Sequence, residues 1–378
     1  MTPSPARRAA IGAVLALSLA LGGCLARPQP GVLQSMGETV EGAEVVKILA
    51  MTTRGRAAPD ANVFTTERVS SPNLSAFTIS VPPTHEPGRI EWPERSIDPA
   101  TTFATLDQGI LTTRGFYEAA ANPENGGRDV TVFVHGYNTS FVEALYRLAQ
   151  MRADTGEDGS AVLFAWPSEE AIAGYMADRE AVTYSRDALA QMLAEFARDR
   201  RIGSINLVAH SMGGWLTMEA LRQLRLTGQG DVLDRLSVVL AAPDIDVDVF
   251  ESQLRVLGPM DPPLTVLVST DDRALLVSNR LGGARDRVGA LDINDVRVQE
   301  LAARDNVAIV DISSVQSADG LNHSRFAQLA ALYPQGSEGE DEDAGFQIRQ
   351  AGAFVFNAAG RTIASPFDLI GQILDPQQ

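Results

Sequence analysis

The sequence predicts an α/β fold in which a mostly parallel, doubly wound sheet carries helices on both faces. Between residues 129 and 333, short apolar segments alternate with longer amphipathic ones, an order typical of parallel strands joined by helical crossovers. The short segments are nearly uninterrupted apolar runs, as expected where helices cover both faces of a sheet. Hydrophobic residues make up 45% of the 378-residue chain, which is enough for a large core.

The predicted elements of this central part follow one another regularly. The strands are DVTVFVH, AVLFAW, SINLVAH, LSVVLAA, LTVLVST and NVAIVDI. The segments between and after them repeat apolar residues at helical spacing, and they are SFVEALYRLAQMRA, YSRDALAQMLAEFARDR, MGGWLTMEALRQLRL, VDVFESQLRVL, RALLVSNRLGG and SRFAQLAALYP. Upstream, residues 45–53 and 74–82 predict two more strands. Residues 82–128 are rich in Pro, Gly and charge and predict loops with one short strand.

The N-terminus has the pattern of a secretory signal. Arg7 and Arg8 precede an apolar run over residues 9–21, followed by Gly-Gly-Cys24. That run is shorter than a membrane-spanning helix needs. Leu-Gly-Gly-Cys resembles the bacterial lipobox, which implies cleavage before Cys24 and lipidation of its thiol. Cys24 is the only cysteine, so no disulfide forms within the chain; the alternative is an ordinary cleaved signal with an incidental cysteine.

These features give the expected organisation of the chain. We expect a signal peptide over residues 1–23, a lipidated tether over 24–44 and a single domain over 45–378. Within that domain we expect N-terminal strands and loops over 45–128, a catalytic core over 129–333 and a C-terminal extension over 334–378. By analogy with Gram-negative lipoproteins, Leu25 after the cysteine favours an outer-membrane anchor facing the periplasm, with the lipid bilayer as partner. Acidic residues outnumber basic ones 48 to 31, for a net charge of -17, which disfavours nucleic acid and anionic membrane surfaces as partners of the body.

A candidate nucleophile lies in LVAHSMGGWL, residues 207–216, between a predicted strand and a predicted helix. A sharp strand-to-helix turn lifts a serine hydroxyl clear of the sheet and needs small neighbours, which Ala209 and Gly213 supply around Ser211. The following helix N-terminus offers free N–H groups to an oxyanion. The alternative interpretation is a serine that only caps the helix.

A nucleophilic serine needs a base, and the chain has four histidines, His85, His135, His210 and His323. The side chain of His210 should point away from the adjacent serine, His135 ends an earlier strand, and His85 lies in the loop-rich N-terminal part. His323, in GLNHSRF, directly follows the last predicted strand. The order serine, acid, histidine is the one expected of this architecture, so His323 is the predicted base.

The acid is predicted within VLVSTDDRALLVS, at the carboxyl end of the penultimate strand, where catalytic groups gather in such sheets. Asp271 and Asp272 are both available. One of them should cap the following helix; we favour Asp272 as the catalytic acid and keep Asp244 and Asp246 as reserve candidates. The DIDVD spacing at 244–248 resembles a calcium loop, but Val and Arg stand where an EF-hand needs Gly and Glu. We therefore expect no metal site.

The segment FVHGYNTSF, residues 133–141, predicts the oxyanion loop. A His-Gly turn after the first central strand commonly supplies one backbone donor, and the residue after the nucleophile supplies the other. This assigns the backbone N–H groups of Tyr137 and Met212, with Asn138 next in line, and Gly136 lets the chain approach the substrate closely. The alternative is a tight turn around a buried histidine.

Together these segments resemble a known family. HGYNTSF, FAWPS, YSRDAL, AHSMG, DDRALLVS and NHSRF, in that order, resemble the α/β-hydrolase fold and, more narrowly, the bacterial esterase/lipase-like family called domain of unknown function 900. TTRGR and HEPGRIEWP extend the resemblance over most of the mature chain. The resemblance implies that Ser211, Asp272 and His323 are nucleophile, acid and base. Ala209 departs from Gly-x-Ser-x-Gly, although Ala-His-Ser-Met-Gly is a familiar variant.

The expected function is that of a serine hydrolase that cleaves a small-molecule carboxylic ester or thioester through an acyl-enzyme. This chemistry requires neither a metal nor an organic cofactor. Residues 242–263 are too few for a large cap, which favours an esterase over an interfacially activated lipase. Two alternatives stay open: an acyltransferase or thioesterase with the same triad, and a non-catalytic envelope lipoprotein that uses the fold as a binding module.

Overall fold

A computed structural model describes residues 27–93, 96–122, 125–317 and 319–329. Its strands form one nine-stranded sheet in the order β3-β2-β1-β5-β4-β6-β7-β8-β9. In chain order, β1 to β9 are Glu44–Arg56, Phe64–Val81, Ala104–Ile110, Val130–Val134, Ser160–Ala165, Ile205–His210, Leu236–Ala241, Leu264–Val268 and Val307–Asp311.

Nine α-helical segments accompany the sheet in the described residues. In chain order, α1 to α9 are Thr113–Ala120, Phe141–Thr155, Tyr175–Arg198, Met212–Leu226, Gly230–Leu233, Val247–Leu257, Arg273–Leu281, Val296–Asp305 and Phe326–Leu329. Short 3-10 turns add Pro30–Leu33, Ile172–Gly174 and Val288–Ala290.

The sheet is mostly parallel, which confirms the predicted fold class. Strands β4 to β9 pair in parallel, as does β1 with β5, whereas β2 is antiparallel to both of its neighbours. One apolar core lies under α3, α4, α6 and α8 and the other under α2 and α9. Alternate residues of β4 point into the two cores, Val132 and Val134 into the first and Phe133 into the second, because successive strand side chains face opposite sides.

Several elements differ from the expectation. Helices α1, α5 and α8 form in stretches that carried no helix prediction. Helix α3 begins at Tyr175, nine residues before the predicted YSRDAL start. Its first turns bury Asp178 completely, and a buried carboxylate on the apolar face hides the helical pattern that sequence periodicity relies on. Strand β2 likewise begins ten residues early, through a polar and partly exposed stretch.

The described part of the expected tether is packed against the domain. Within the 3-10 turn, Val32 and Leu33 are buried in the second core. The Tyr146 hydroxyl donates to the Val32 carbonyl oxygen at 3.0 Å, and the Met36 backbone N–H donates to the Thr105 carbonyl oxygen at 2.9 Å. Pro and Gly content suggested a free linker, but two apolar side chains and these backbone contacts hold the segment on the sheet edge.

The predicted signal peptide, Cys24 and the extension at 334–378 lie outside the described residues. Within the part of the chain that the structure covers, no helix is long and apolar enough to cross a membrane.

Truncating Leu33 tests whether the N-terminal segment belongs to the core. Leu33→Ala should lower the free energy of unfolding by about 2–3 kcal/mol, because it removes buried methyl groups and leaves a cavity. Exposed Met36 supplies the matched control, and Met36→Ala should change stability by no more than about 0.5 kcal/mol. Urea unfolding of both variants gives the comparison; equal stabilities would show that the segment contributes nothing to the fold.

Candidate active site

The turn between β6 and α4 holds Ser211 in an unusual backbone conformation. Its φ and ψ angles are 53° and -123°, a region that costs a non-glycine residue about 1–3 kcal/mol and clusters at functional sites. Ser211 is the N-cap residue of α4, yet its side chain makes no capping hydrogen bond. The hydroxyl is therefore not used to cap the helix, and the backbone strain is of the kind expected at a nucleophile elbow.

Close packing around this turn explains why Ala209 is tolerated and why Gly213 is required. A Cβ atom at Gly213 would lie 2.6 Å from the Val134 carbonyl oxygen, so any side chain there would push α4 off the end of β4. Ala209 instead lies within β6, opposite Val134 and Leu240, and its methyl group is buried in the core. Gly213, where the packing is tight, follows Ser211 in the helix. Ala209, the residue that departs from Gly-x-Ser-x-Gly, precedes Ser211 in the strand.

The His-Gly turn after β4 packs directly against the serine. A Cβ atom at Gly136 would lie 2.9 Å from the Cβ atom of Ser211. The Asn138 backbone N–H donates to the Asp178 carboxylate at 3.2 Å, whereas the Tyr137 N–H donates to no protein acceptor among the described residues. Of the two donors considered at this loop, Tyr137 is thus the one whose N–H is free for a ligand.

His323 and Asp272 are brought together from separate loops. The imidazole Nδ1 donates to Asp272 Oδ2 at 2.6 Å. An ionised carboxylate only accepts hydrogen bonds, so the neutral imidazole carries its proton on Nδ1 and leaves Nε2 as an acceptor. Asp272 Oδ1 accepts the Leu275 N–H at 3.0 Å and caps α7. We expected one aspartate to cap the helix and the other to contact the base. Asp272 instead does both, with a different carboxylate oxygen for each contact.

The neighbouring Asp271 is occupied elsewhere. Its side chain is 51% exposed, against 0% for Asp272. Arg325 binds both of its oxygens, and the Asn322 amide donates to Oδ2 at 2.9 Å. The hydrogen bonds from Arg325 hold the pKa of Asp271 well below its usual range.

The two reserve acids also have other partners. Asp244 is buried and accepts hydrogen bonds from Tyr175 Oη at 3.0 Å and Ser278 Oγ at 2.8 Å, and the Arg287 guanidinium lies 3.2 Å from its Oδ1. Asp246 caps α6 by accepting two backbone N–H groups. Across the described residues, no group of three or more His, Cys, Asp or Glu side chains is arranged to hold a metal ion.

The environment of His323 favours its protonated form. Burial lowers the pKa of the imidazole, but the hydrogen bond and the charge of Asp272 outweigh burial, and Asp244 and Asp319 add to them, so the pKa lies above its usual value. The Ser211 hydroxyl makes no hydrogen bond to His323 among the described residues. In substrate-free enzymes this contact commonly tightens only when substrate binds. The His323 ring lies 4.5 Å, centroid to centroid, from that of His210, the residue before the serine.

The other histidines have different surroundings, and His210 Nε2 lies 3.2 Å from the carbonyl oxygen of His323. Burial, followed by the charge of His323, lowers the pKa of His210 well below its usual value. Burial and the nearby Arg54 lower the pKa of His135 to about 3, and both of its ring nitrogens face backbone carbonyl groups. His85 lies between Glu91 and Asp154.

Two carboxylates that sequence reasoning missed, the buried Asp178 and the partly buried Asp319, shape the loops of the site. Asp178 accepts hydrogen bonds from Ser168, from the backbone of Glu169 and from that of Asn138, and so ties the oxyanion loop to α3. An acid in the first turn of a helix is common, so the sequence carried no signal of this role.

Asp319 performs the same task on the other side of the site. Its carboxylate accepts the backbone N–H groups of Leu321, His323 and Ser324 and fixes the loop that carries the imidazole. The only sequence signal was its Asp-Gly pair, which is typical of a turn.

Comparison with known proteins identifies the family. The family model described as alpha/beta hydrolase of unknown function (DUF900) matches residues 120–338, more than half of the chain. The chain belongs to this family. The match contains the Ser211, Asp272 and His323 positions that the resemblance implied.

Solved structures similar to the chain include esterases. An esterase from Rhizomucor miehei has a TM-score of 0.36 and 11% identity, over 84% of this chain and 85% of that one. An esterase from Pyrobaculum calidifontis has a TM-score of 0.36 and 13% identity, over 87% and 89%. No curated protein matches the chain significantly.

Substituting the adjacent aspartates separates their roles. Asp272→Asn should lower kcat by about 10⁴-fold, because an amide no longer holds the imidazole in the required tautomer. Asp271→Asn is the matched control and should keep kcat within about tenfold, since Asp271 reaches the site only through Arg325 and Asn322. Steady-state hydrolysis of a soluble ester measures both; equal losses would reject Asp272 as the acid.

The raised pKa of His323 sets the direction of the pH dependence. The base acts unprotonated, so kcat/KM should rise with pH through a midpoint above the ordinary imidazole value of about 6.5. Asp272→Asn removes the main cause that raises this pKa, and the midpoint of the residual activity should move to lower pH. A pH profile on the soluble ester checks both; a parent midpoint below about 6.5 would contradict the proposed environment.

Proposed function

We propose that the protein is a serine hydrolase that cleaves carboxylic esters or thioesters through an acyl-enzyme. One observation carries the proposal: the His323–Asp272 hydrogen bond occurs beside a strained serine turn that has no structural use for its hydroxyl. Each group follows a different parallel strand, and the carboxyl ends of such strands meet at one edge of the sheet. Membership of a hydrolase family supports the same chemistry.

In the proposed acylation step, His323 Nε2 takes the proton of the Ser211 hydroxyl while Oγ forms a bond to the substrate carbonyl carbon. Asp272 keeps the imidazole oriented and stabilises its positive charge. The tetrahedral intermediate collapses when the bond to the alcohol or thiol breaks, and His323 returns the proton to that leaving group. Water then repeats the sequence, attacks the acyl carbon and regenerates the serine.

Two backbone donors would hold the oxyanion of this intermediate. The Met212 N–H belongs to the first turn of α4, where N–H groups lack partners within the helix. The Tyr137 N–H comes from the loop that packs against Ser211. Removing one such donor typically costs about 3–4 kcal/mol of transition-state stabilisation. The tie between Asn138 and Asp178 keeps this loop in place without substrate.

Active-site labelling tests the proposal. The parent protein should react covalently with a fluorophosphonate probe, because an activated serine attacks its phosphorus. Ser211→Ala should lose more than 90% of the labelling. The control is Ser237→Ala, which alters a buried serine of β7 outside the site and should label like the parent. Absence of labelling in the parent, or labelling that survives Ser211→Ala, would reject the catalytic function.

We also propose that Cys24 is lipidated and anchors the protein in the bacterial envelope. The lipobox-like Leu-Gly-Gly-Cys and the absence of any second cysteine support this. Cells grown with labelled palmitate should incorporate it into the parent protein, and Cys24→Ala should abolish the incorporation and release the protein from the membrane fraction. Incorporation that persists in Cys24→Ala would reject the anchor.

A further inference from the structure

Arg27 fixes the start of the described chain at the rim of the candidate active site. Its guanidinium donates to the Asn138 carbonyl oxygen at 2.6 Å, to the Asn138 side-chain oxygen at 3.0 Å and to the Glu170 carbonyl oxygen. It also pairs with Glu143 at 3.2 Å. Asn138 belongs to the loop that packs on Ser211, so the chain enters the fold beside the proposed oxyanion site.

Two features just upstream of Arg27 favour a membrane: Cys24, which we propose is lipidated, and the apolar run over residues 9–21. Cys24 is three residues away, a distance that an extended chain spans in at most about 11 Å. The apolar run over residues 9–21 ends six residues away, which corresponds to at most about 22 Å. Whether the bilayer holds the acyl chains of Cys24 or that apolar run, the rim of the site is confined close to the membrane surface.

The same edge of the sheet exposes large apolar side chains on both sides of Ser211. After β5, Ile172 is 74% and Met176 is 64% exposed, and the backbone of Ile172 accepts a hydrogen bond from Tyr137. After β8 and β9, the exposed apolar residues include Leu276, Val277 and Leu321. The strand order places β5 on one side of β6 and β8 on the other, so these residues flank the serine.

Such exposure calls for an apolar surface as partner. Exposed apolar side chains gain free energy when they move from water into an apolar phase, and the net charge of -17 gives no electrostatic attraction to anionic lipids. A bilayer fits both facts, because apolar side chains insert into its interface without charge complementarity. The chain itself enters at this edge from the membrane-seeking segment.

We propose that the carboxyl-end edge of the sheet lies on the lipid bilayer, and that the site takes amphiphilic esters or thioesters directly from the membrane. The substrate part of this inference rests on the proposed hydrolysis, whereas the membrane face rests on the proposed N-terminal anchor segment and on the exposed apolar residues. The connection from β7 to β8 contains only α6, so no large insertion at that point stands between the proposed membrane face and the buried Ser211.

Membrane contact is measured on the full-length protein reconstituted in phosphatidylcholine vesicles. Ile172→Cys is labelled with the fluorophore NBD, and Leu226→Cys is the matched control. Leu226 is 57% exposed and ends α4, about 22 Å along the helix from Ser211. The unsubstituted chain, with Cys24 alone, gives the background. Spin-labelled lipids should quench the probe at position 172 at least threefold more than at 226. Equal quenching, or none at 172, would overturn the membrane face and leave a protein partner as the occupant.

Catalysis from the membrane is tested with two substrates. The double variant Ile172→Ser and Met176→Ser should hydrolyse a long-chain ester embedded in the vesicles at least tenfold more slowly, and a water-soluble short-chain ester at the parent rate. Leu226→Ser should leave both rates unchanged. Equal vesicle rates in the double variant and the control would overturn the substrate inference. If the parent hydrolyses neither ester, the proposed function fails, and the quenching experiment still decides the membrane face.

Discussion

The close approach of two loops at the ends of β4 and β6 is the constraint on which the rest of the site depends. Gly136 and Gly213 have no side chains, and a Cβ atom on either would collide with the opposite turn. At this junction Ser211 has a positive φ angle, and a Cβ atom at Gly136 would lie 2.9 Å from the Cβ atom of Ser211. The buried parallel strands on either side of this junction supply the rigidity that such a strained turn needs.

On the other side of the serine, hydrogen bonding decides which of two adjacent aspartates meets the histidine. Arg325 and Asn322 hold Asp271 at the surface, and the helix cap turns Asp272 inward. Because Asp272 is buried, its charge acts on His323 with little solvent screening. Burial by itself lowers the pKa of His323, but the Asp272 carboxylate raises that pKa by more.

The N-terminal segment connects the fold to the proposed membrane location. Its docking buries Val32 and Leu33 and places Arg27 over the oxyanion loop. A flexible tether would have let the folded domain rotate freely relative to a membrane anchor at Cys24. A docked segment instead restricts the orientation, so that a lipid attached a few residues upstream would hold the active-site edge towards the bilayer.

The sequence by itself determined the α/β class and most of the central helices and strands, because apolar runs and helical periodicity depend on which face of each element is buried. It also identified Ser211, His323 and the aspartate pair as candidates from their positions after predicted strands. The first turns of α3 could not be predicted, because the buried Asp178 interrupts their apolar pattern. Helices α1 and α8 are short and bury only two and three residues, too few for a helical period to stand out.

Only the tertiary structure decided how the candidate groups divide their tasks. The choice between Asp271 and Asp272 depends on Arg325. Asp178 takes up the N–H of Asn138, whereas the N–H of Tyr137 donates to no acceptor in the part of the chain that the structure describes. The docking of residues 27–37 depends on Tyr146 and Thr105. Each of these contacts joins residues that come from different loops or helices, and chain packing sets such distances, whereas local sequence does not.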